Sequence, residues 1–129
     1  MTTITRIRTG VADHIGEYAD ALAVSGGGTQ IFVSGTPGLR DDGTVPEDFT
    51  DEARQCWANV ERALGNAGAK LTDIVYMRQW VTSRENAAAY LAVSKEIIRH
   101  EPAAMFSIID GLVWPNIRVE VEVTAILPS

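Results

Sequence analysis

The sequence is poor in the residues that bind metals and form disulfides. Its 129 residues include one cysteine, Cys56, and two histidines, His14 and His100. A lone cysteine permits no internal disulfide, a usage expected in a reducing compartment. The two histidines are too far apart in the sequence to form the paired ligand spacings of structural zinc sites. We therefore expect no metal site and no other cofactor.

Positive charge and long apolar runs are also scarce. Lysine and arginine total 11 against 17 aspartates and glutamates, a formal net charge of −6. Nucleic-acid binding needs a basic surface that displaces counterions from phosphates, so this balance argues against a nucleic-acid partner. No window approaches the roughly eighteen apolar residues of a membrane span, and the N-terminal residues lack the apolar core of a signal peptide. These absences predict a cytoplasmic protein without a membrane partner.

The composition is otherwise that of an ordinary globular protein, with 46% hydrophobic and 22% charged residues. A chain of this length fits one domain, which we place at residues 1–129. Apolar residues at helical spacing predict helices at 49–67 and from Ser83 to about His100. In the first helix, Cys56 lies in the apolar pattern, which predicts a packed thiol rather than a nucleophile.

Alternating or glycine-bounded apolar runs predict strands at 2–9, 21–25, 30–35, 71–82 and 117–125, with a further strand after Pro102. The cluster Gly26 to Gly28 predicts a hairpin between the second and third strands. The predicted order is strand, strand, strand, helix, strand, helix, strand, strand. That order suggests an α+β fold, with two helices packed on one face of a mostly antiparallel six-stranded sheet.

The last predicted strand carries two candidate catalytic carboxylates. From Ile117 to Ala125 apolar residues alternate with polar ones, which places Glu120 and Glu122 on one face, about 7 Å apart at about 3.3 Å per residue. On an acidic chain, such a pair is usually part of a solvated sheet face. In the alternative, one carboxylate lies in a cleft, where burial raises its pKa and lets it orient or deprotonate a water molecule. Spacing alone leaves both interpretations open.

Six short segments are informative as an ordered set. They are Ile15 to Tyr18 (Ile-Gly-Glu-Tyr), Ile31 to Gly35 (Ile-Phe-Val-Ser-Gly), Gln55 with Asn59, Leu64 to Gly68, Asn86 with Tyr90, and Pro102-Ala103 followed by Val119 to Val123 (Val-Glu-Val-Glu-Val). Together they cover nearly the whole chain and resemble the Rid/YjgF family of enamine and imine deaminases. The resemblance implies the family's chorismate-mutase-like α+β fold and its assembly as a homotrimer with clefts between subunits.

The resemblance also implies roles for individual residues. Glu120 would position the catalytic water, while backbone groups near Ala103 to Met105 and the Gly35 amide would polarise the substrate nitrogen. The other residues implied in the walls of the cleft are Tyr18, Ser34, Asn86, Ala104, Met105, Phe106 and Trp114. The large apolar side chains among them either shape an apolar cleft or pack between subunits.

One position departs from the family pattern. The family's deaminases read Pro-Ala-Arg, and the arginine grips the substrate carboxylate through a bidentate pair, whereas this chain has Ala104 there. We therefore expect simple 2-iminoacids to be poor substrates. In a further reading, Arg118 or Arg78 replaces the missing guanidinium, although Arg78 has a competing structural role at subunit contacts.

Two functional hypotheses follow from the resemblance. In the first, the protein hydrolyses an imine, enamine or related unsaturated nitrogen compound other than a simple 2-iminoacid, in an intersubunit cleft. The alternative is a non-catalytic trimer of the same fold that binds a ligand or stabilises a partner. An enzyme should lose turnover when Glu120 is replaced, whereas a binding protein should change only in affinity.

Overall fold

A computed structural model describes every residue from Met1 to Ser129. It contains six strands and two α-helices in the predicted order. The strands are β1 Thr3–Ile7, β2 Ala21–Ser25, β3 Thr29–Pro37, β4 Ile74–Val81, β5 Ala103–Ile108 and β6 Val119–Leu127, and the helices are α1 Phe49–Asn66 and α2 Ala87–Ile97. Neither helix combines the length and the apolar character needed to span a membrane.

Helix α2 is shorter than the sequence pattern predicts. Its predicted first residue, Ser83, instead precedes a short 3-10 turn at Arg84–Asn86 and accepts a hydrogen bond from the Glu85 amide at 3.3 Å. At the other end, Ile98 has extended backbone angles, which ends the helix before Pro102 is reached. The pattern located the helix but overestimated it at both ends.

The strands form two sheets, which corrects the predicted single six-stranded sheet. Strands β3, β6, β4 and β5 form a four-stranded sheet in that order, while β1 and β2 pair only with each other. The predicted hairpin between β2 and β3 is absent because β2 pairs with β1 and β3 pairs with β6, so the positive-φ glycines Gly26, Gly27 and Gly28 join strands of two different sheets. Pairing is antiparallel except between β4 and β5, which are parallel. The α+β class with two helices on one face is confirmed.

The two helices cover one face of the four-stranded sheet. Its alternation is as predicted: Val119, Val121, Val123 and Ala125 of β6 are buried, and they meet Ala53, Cys56, Trp57, Val60 and Leu64 of α1. Cys56 is a packed thiol, as predicted, and donates to the Thr36 carbonyl at 3.0 Å. Burial raises the pKa of this thiol, which removes it as a nucleophile.

The opposite face of the four-stranded sheet is covered by neither helix. Strand register places Trp80 opposite Glu120 and Arg78 opposite Glu122 on this side. The next row contains Phe32, which is 73% exposed. We call this surface the outer face, and define it by Phe32, Tyr76, Arg78, Trp80, Met105, Glu120 and Glu122.

Candidate functional site

Glu120 lies on the outer face beside an irregular stretch of β3. The register of β3 against β6 shifts between Val33 and Thr36, so Ser34 and Gly35 form a bulge. The Glu120 carboxylate lies directly against Gly35, because a Cβ atom built on that glycine would fall 3.2 Å from the carboxylate carbon and closer still to Oε1. The fold thus brings Glu120 together with the Ser34-Gly35 pair, and the missing side chain at Gly35 makes room for the carboxylate.

The two carboxylates of β6 have different surroundings. Arg78 Nη1 lies 3.2 Å from Glu122 Oε1, and its guanidinium carbon lies 5.2 Å from the centre of the Tyr76 ring. Glu120 has no such cation within ion-pair distance. Partial burial, and after it the negative charge of Glu122, raise the pKa of the Glu120 carboxyl. A carboxylate of raised basicity that no cation neutralises is suited to accept a proton from water.

A cavity of about 650 Å³ lies on the helix side of the sheet, between α2, β5 and the segment 15–18. We call it the α2 cavity. Its lining is mostly apolar and consists of Ile15, Gly16, Glu17, Tyr18, Met77, Gln79, Leu91, Ser94, Lys95, Ile98, Ala104, Met105 and Phe106. The α2 residues among them recur at threes and fours, which places them on one face of the helix. The segment 15–18 is held near β5 by a bridge between Ala19 and Ala103.

Gln79 is the polar group at the floor of the α2 cavity. It is 3% exposed, and its Nε2 donates to the Met105 carbonyl at 3.0 Å. Its Oε1 accepts from the Tyr90 hydroxyl and from Ser94 Oγ, the latter at 3.3 Å. Both ends of the amide are therefore satisfied within the chain, so Gln79 fixes α2 to β4 and β5.

Comparison with known proteins identifies the family. The sequence model of the family described as Endoribonuclease L-PSP matches residues 10–127, which is nearly the whole chain. The chain belongs to this family, the Rid/YjgF family.

Individual Rid relatives agree over most of their length. The chain is 31% identical over 104 residues to the RutC family protein YjgH of Escherichia coli K12, covering 79% of each. It is 28% identical over 110 residues to the 2-iminobutanoate/2-iminopropanoate deaminase of Dermatophagoides farinae, covering 84% of each. The crystal structure of the Rid protein YyfB of Yersinia pestis, a protein of unknown function, superposes with a TM-score of 0.81 at 25% identity over 98% of each chain. E. coli TdcF with bound serine superposes with a TM-score of 0.72 at 25% identity, over 87% of this chain and 89% of that one.

Within one Rid chain, the predicted site residues fall into two groups on opposite faces of the sheet. Ala104 pairs with Met77, and Phe106 pairs with Gln79, so both lie on the helix side and line the α2 cavity. Tyr18 lines the same cavity, whereas Glu120, Ser34 and Gly35 belong to the other group. Met105 pairs with Arg78 on the outer face and also contributes to the lining of the α2 cavity at the edge strand β5. Within a single chain, therefore, Glu120 lies on the opposite side of the sheet from Ala104, the position at which the family's deaminases have the arginine that binds the substrate carboxylate.

Two predicted site residues belong to neither group. Asn86 lies in the 3-10 turn before α2, and Trp114 lies in the loop before β6 with 66% of its surface exposed. Sequence reasoning also missed Gln79, Leu91 and Lys95 of the α2 cavity. Residues 91, 94, 95 and 98 are spaced like one face of a helix, so this spacing could have indicated the cavity residues on α2. The pattern that includes the buried Tyr90 and Val93 is the more obvious one, and it indicates the core-facing side.

The two arginines considered as substitutes for a guanidinium at position 104 are engaged elsewhere. Arg118 Nε donates to Glu52 Oε1 at 2.7 Å, and Nη2 donates to the carbonyls of Pro46 and Glu47 at 3.0 and 2.9 Å. These bonds tie Arg118 to α1 and to the loop before it. Arg78 pairs with Glu122 on the outer face. No group of three or more His, Cys, Asp or Glu side chains is arranged to hold a metal ion.

Proposed function

We propose that this Rid protein hydrolyses an imine, enamine or related unsaturated nitrogen compound that is not a simple 2-iminoacid. The reaction takes place in a cleft between the subunits of a homotrimer, which brings the outer face of one copy to the cavity side of another. Each subunit is a single domain of residues 1–129, and the protein works in the cytoplasm without a nucleic-acid or membrane partner. The observation that carries the proposal is the Glu120 carboxylate, with its raised pKa, lying against Gly35.

The chemistry follows from that carboxylate. Glu120 accepts a proton from a water molecule as the water oxygen bonds to the carbon of the C=N group. The Gly35 amide and the backbone near Ala103 to Met105 polarise the nitrogen. Proton transfer to this nitrogen then allows the C–N bond to break, which releases ammonia and a carbonyl compound. The relative named as a 2-iminobutanoate/2-iminopropanoate deaminase supports this reaction class.

Ala104 supports the exclusion of simple 2-iminoacids. A methyl group cannot replace the charge-assisted pair between an arginine and a substrate carboxylate, which contributes about 1.5–3 kcal/mol. We therefore expect little turnover of 2-iminobutanoate. An imine of comparable size without a carboxylate beside the C=N group should be turned over better.

Coupled assays test the proposal. An amino-acid oxidase supplies 2-iminoacids and a flavin amine oxidase supplies imines without a carboxylate, and carbonyl release is followed with and without this protein. We expect Glu120→Gln to lower turnover by about 10²–10⁴. Glu122→Gln is the matched control and should keep turnover at neutral pH. Equal turnover by the wild type and Glu120→Gln would contradict the proposed role, as would no acceleration with any imine.

The same assay predicts a pH dependence. Glu120 must be ionised to act as a base, so turnover falls as the pH drops through its raised pKa. Glu122→Gln removes one cause of that raised pKa, so the acid limb of kcat/KM should move to lower pH in this variant. If the acid limb of kcat/KM stays at the same pH in Glu122→Gln, the group that titrates is not Glu120.

The second candidate is a non-catalytic trimer that binds a ligand or stabilises a partner. The observation that favours it is that one chain places Glu120 and the α2 cavity on opposite faces of the sheet. Calorimetric titration with a non-hydrolysable imine analogue separates the candidates. A binding protein would keep affinity in Glu120→Gln within a few-fold and show no turnover with any imine.

A further inference from the structure

The α2 cavity adjoins a second, charged cavity of about 580 Å³. Glu17, Lys95 and Ile98 line both cavities. The remaining lining of the second cavity consists of Arg6, Arg99, His100 and Glu101. We call this charged end the basic mouth. A molecule in the α2 cavity therefore has an apolar environment at one end and a charged one at the other.

The basic mouth concentrates positive charge on an acidic chain. Arg6, Lys95 and Arg99 line it, and Arg8 pairs with the lining residue Glu101. With Glu17, this makes four cations against two carboxylates, whereas the whole chain has a formal charge of −6. Such a local excess attracts a small anion even though the rest of the surface repels it.

Two of these cations are free to meet a ligand. Arg99 takes part in none of the ion pairs of the chain. Lys95 Nζ lies 3.3 Å from Glu17 Oε1, and both side chains are largely exposed. An exposed pair of this kind contributes about 0–1 kcal/mol, so Lys95 can exchange Glu17 for a ligand anion at little cost.

The interior of the α2 cavity offers no such charge. Phe106 stacks on Tyr90 with ring centres 5.0 Å apart, and Met77 and Leu91 add apolar surface. The buried polar side chains in its lining, Gln79 and Ser94, bond to each other, and both ends of the Gln79 amide are satisfied. A charged ligand group would lose its hydration here without gaining a partner. An aromatic ligand ring would instead contact the Phe106 ring and the Met77 thioether.

We propose that the α2 cavity and the basic mouth together bind a small molecule with an apolar, ring-bearing body and one anionic group at the far end of that body. The ring lies against Phe106 and Leu91, and the anionic group reaches Lys95 and Arg99. This inference deepens the proposed function by naming the class of ligand. It rests on that function only in so far as the ligand is a substrate, because binding requires no catalysis.

Calorimetric titration of the full chain tests the inference with 3-phenylpropionate and its neutral isostere 3-phenylpropionamide. The wild type should bind the acid more tightly than the amide. Lys95→Gln and Arg99→Gln should each weaken binding of the acid by about threefold, and the double variant by about tenfold, with little change for the amide. Leu91→Ser should weaken binding of both probes. Arg62→Gln, on the far side of α1 where the arginine pairs with Asp41, is the charge-matched control and should bind like the wild type.

The outcomes separate this inference from simpler roles. Cations near the end of α2 also interact favourably with the helix dipole, but that role predicts lower stability in Lys95→Gln with no change in affinity. The inference is overturned if the wild type binds neither probe, if it binds both equally, or if the double variant binds the acid like Arg62→Gln. Binding of the acid without turnover of any imine would overturn the proposed function alone, and turnover without binding of either probe would overturn this inference alone.

Discussion

At the scale of single residues, Gly35 controls where the Glu120 carboxylate can lie. A methyl group at position 35 would overlap the end of the Glu120 side chain, which can rotate away, and Gly35 does not have positive φ. We therefore expect Gly35→Ala to abolish most imine hydrolysis while changing the free energy of unfolding by less than about 1 kcal/mol. Turnover and urea unfolding of the same preparation check both halves of this expectation.

The matched control for Gly35→Ala is Gly65→Ala in α1. An added methyl group at Gly65 meets no atom within 4 Å, and alanine in a helix stabilises by about 0.5–1 kcal/mol. This variant should be slightly more stable than the wild type, with unchanged turnover. Full turnover in Gly35→Ala would show that the observed position of the Glu120 carboxylate is not needed for the reaction.

Residue-level prediction from sequence succeeded where a local pattern decides the environment. Alternation along β6 was sufficient to place Glu120 away from the core. No pattern around Glu52 predicts its environment, because it stands in the acidic first turn of α1 yet is fully buried. The cause is Arg118, whose backbone amide and Nε donate to Glu52 at 2.8 and 2.7 Å from a distant part of the sequence. A partner so far away in the sequence cannot be predicted from the residues around Glu52.

At the scale of elements, hydrogen bonds of the Gln79 amide connect α2 to strands β4 and β5 of the sheet. Its replacement by methionine keeps the apolar volume but leaves the buried Tyr90 hydroxyl and the Met105 carbonyl without their partner. Since an unsatisfied buried polar group costs about 1–3 kcal/mol, we expect Gln79→Met to lower the free energy of unfolding by about 2–4 kcal/mol. Chemical denaturation monitored by circular dichroism measures this loss.

The comparison variant is Tyr90→Phe, which removes one hydrogen bond but leaves Ser94 Oγ to satisfy Gln79 Oε1. We expect a loss of about 1 kcal/mol in that case. If Gln79→Met proves no more destabilising than Tyr90→Phe, the amide is not the anchor of α2.

Elements with a strong internal period were predicted well, and those that depend on distant partners were not. Helix α1 and strand β6 follow their periodicity closely. The separate β1/β2 sheet and the parallel pairing of β4 with β5 were not predicted, because pairing choices depend on residues far apart in sequence. The α2 cavity was missed for the same reason, since it forms between α2, β5 and the distant segment 15–18.

At the scale of the whole molecule, the outer face is too apolar for a surface that meets only water. Phe32 of β3 is 73% exposed, Tyr76 lies in the same row across Thr124, and Trp80 adds a third aromatic ring beyond the row of Arg78 and Glu122. Exposed aromatic side chains grouped on one uncovered sheet face are typical of contact surfaces between proteins. The homotrimer proposed above would cover this face and leave α1 on the outside.

Phe32→Glu tests that arrangement directly. A glutamate at position 32 would bury an unpaired charge in an interface from which water is excluded, so assembly should fail while each chain stays folded. Light scattering should give a mass near three times 14.0 kDa for the wild type and near 14.0 kDa for the variant. Ala63→Glu, on the exposed side of α1, adds the same charge away from the outer face and should assemble like the wild type. A trimeric Phe32→Glu variant would mean that copies meet through another surface, and the cleft containing Glu120 would then have to be sought there.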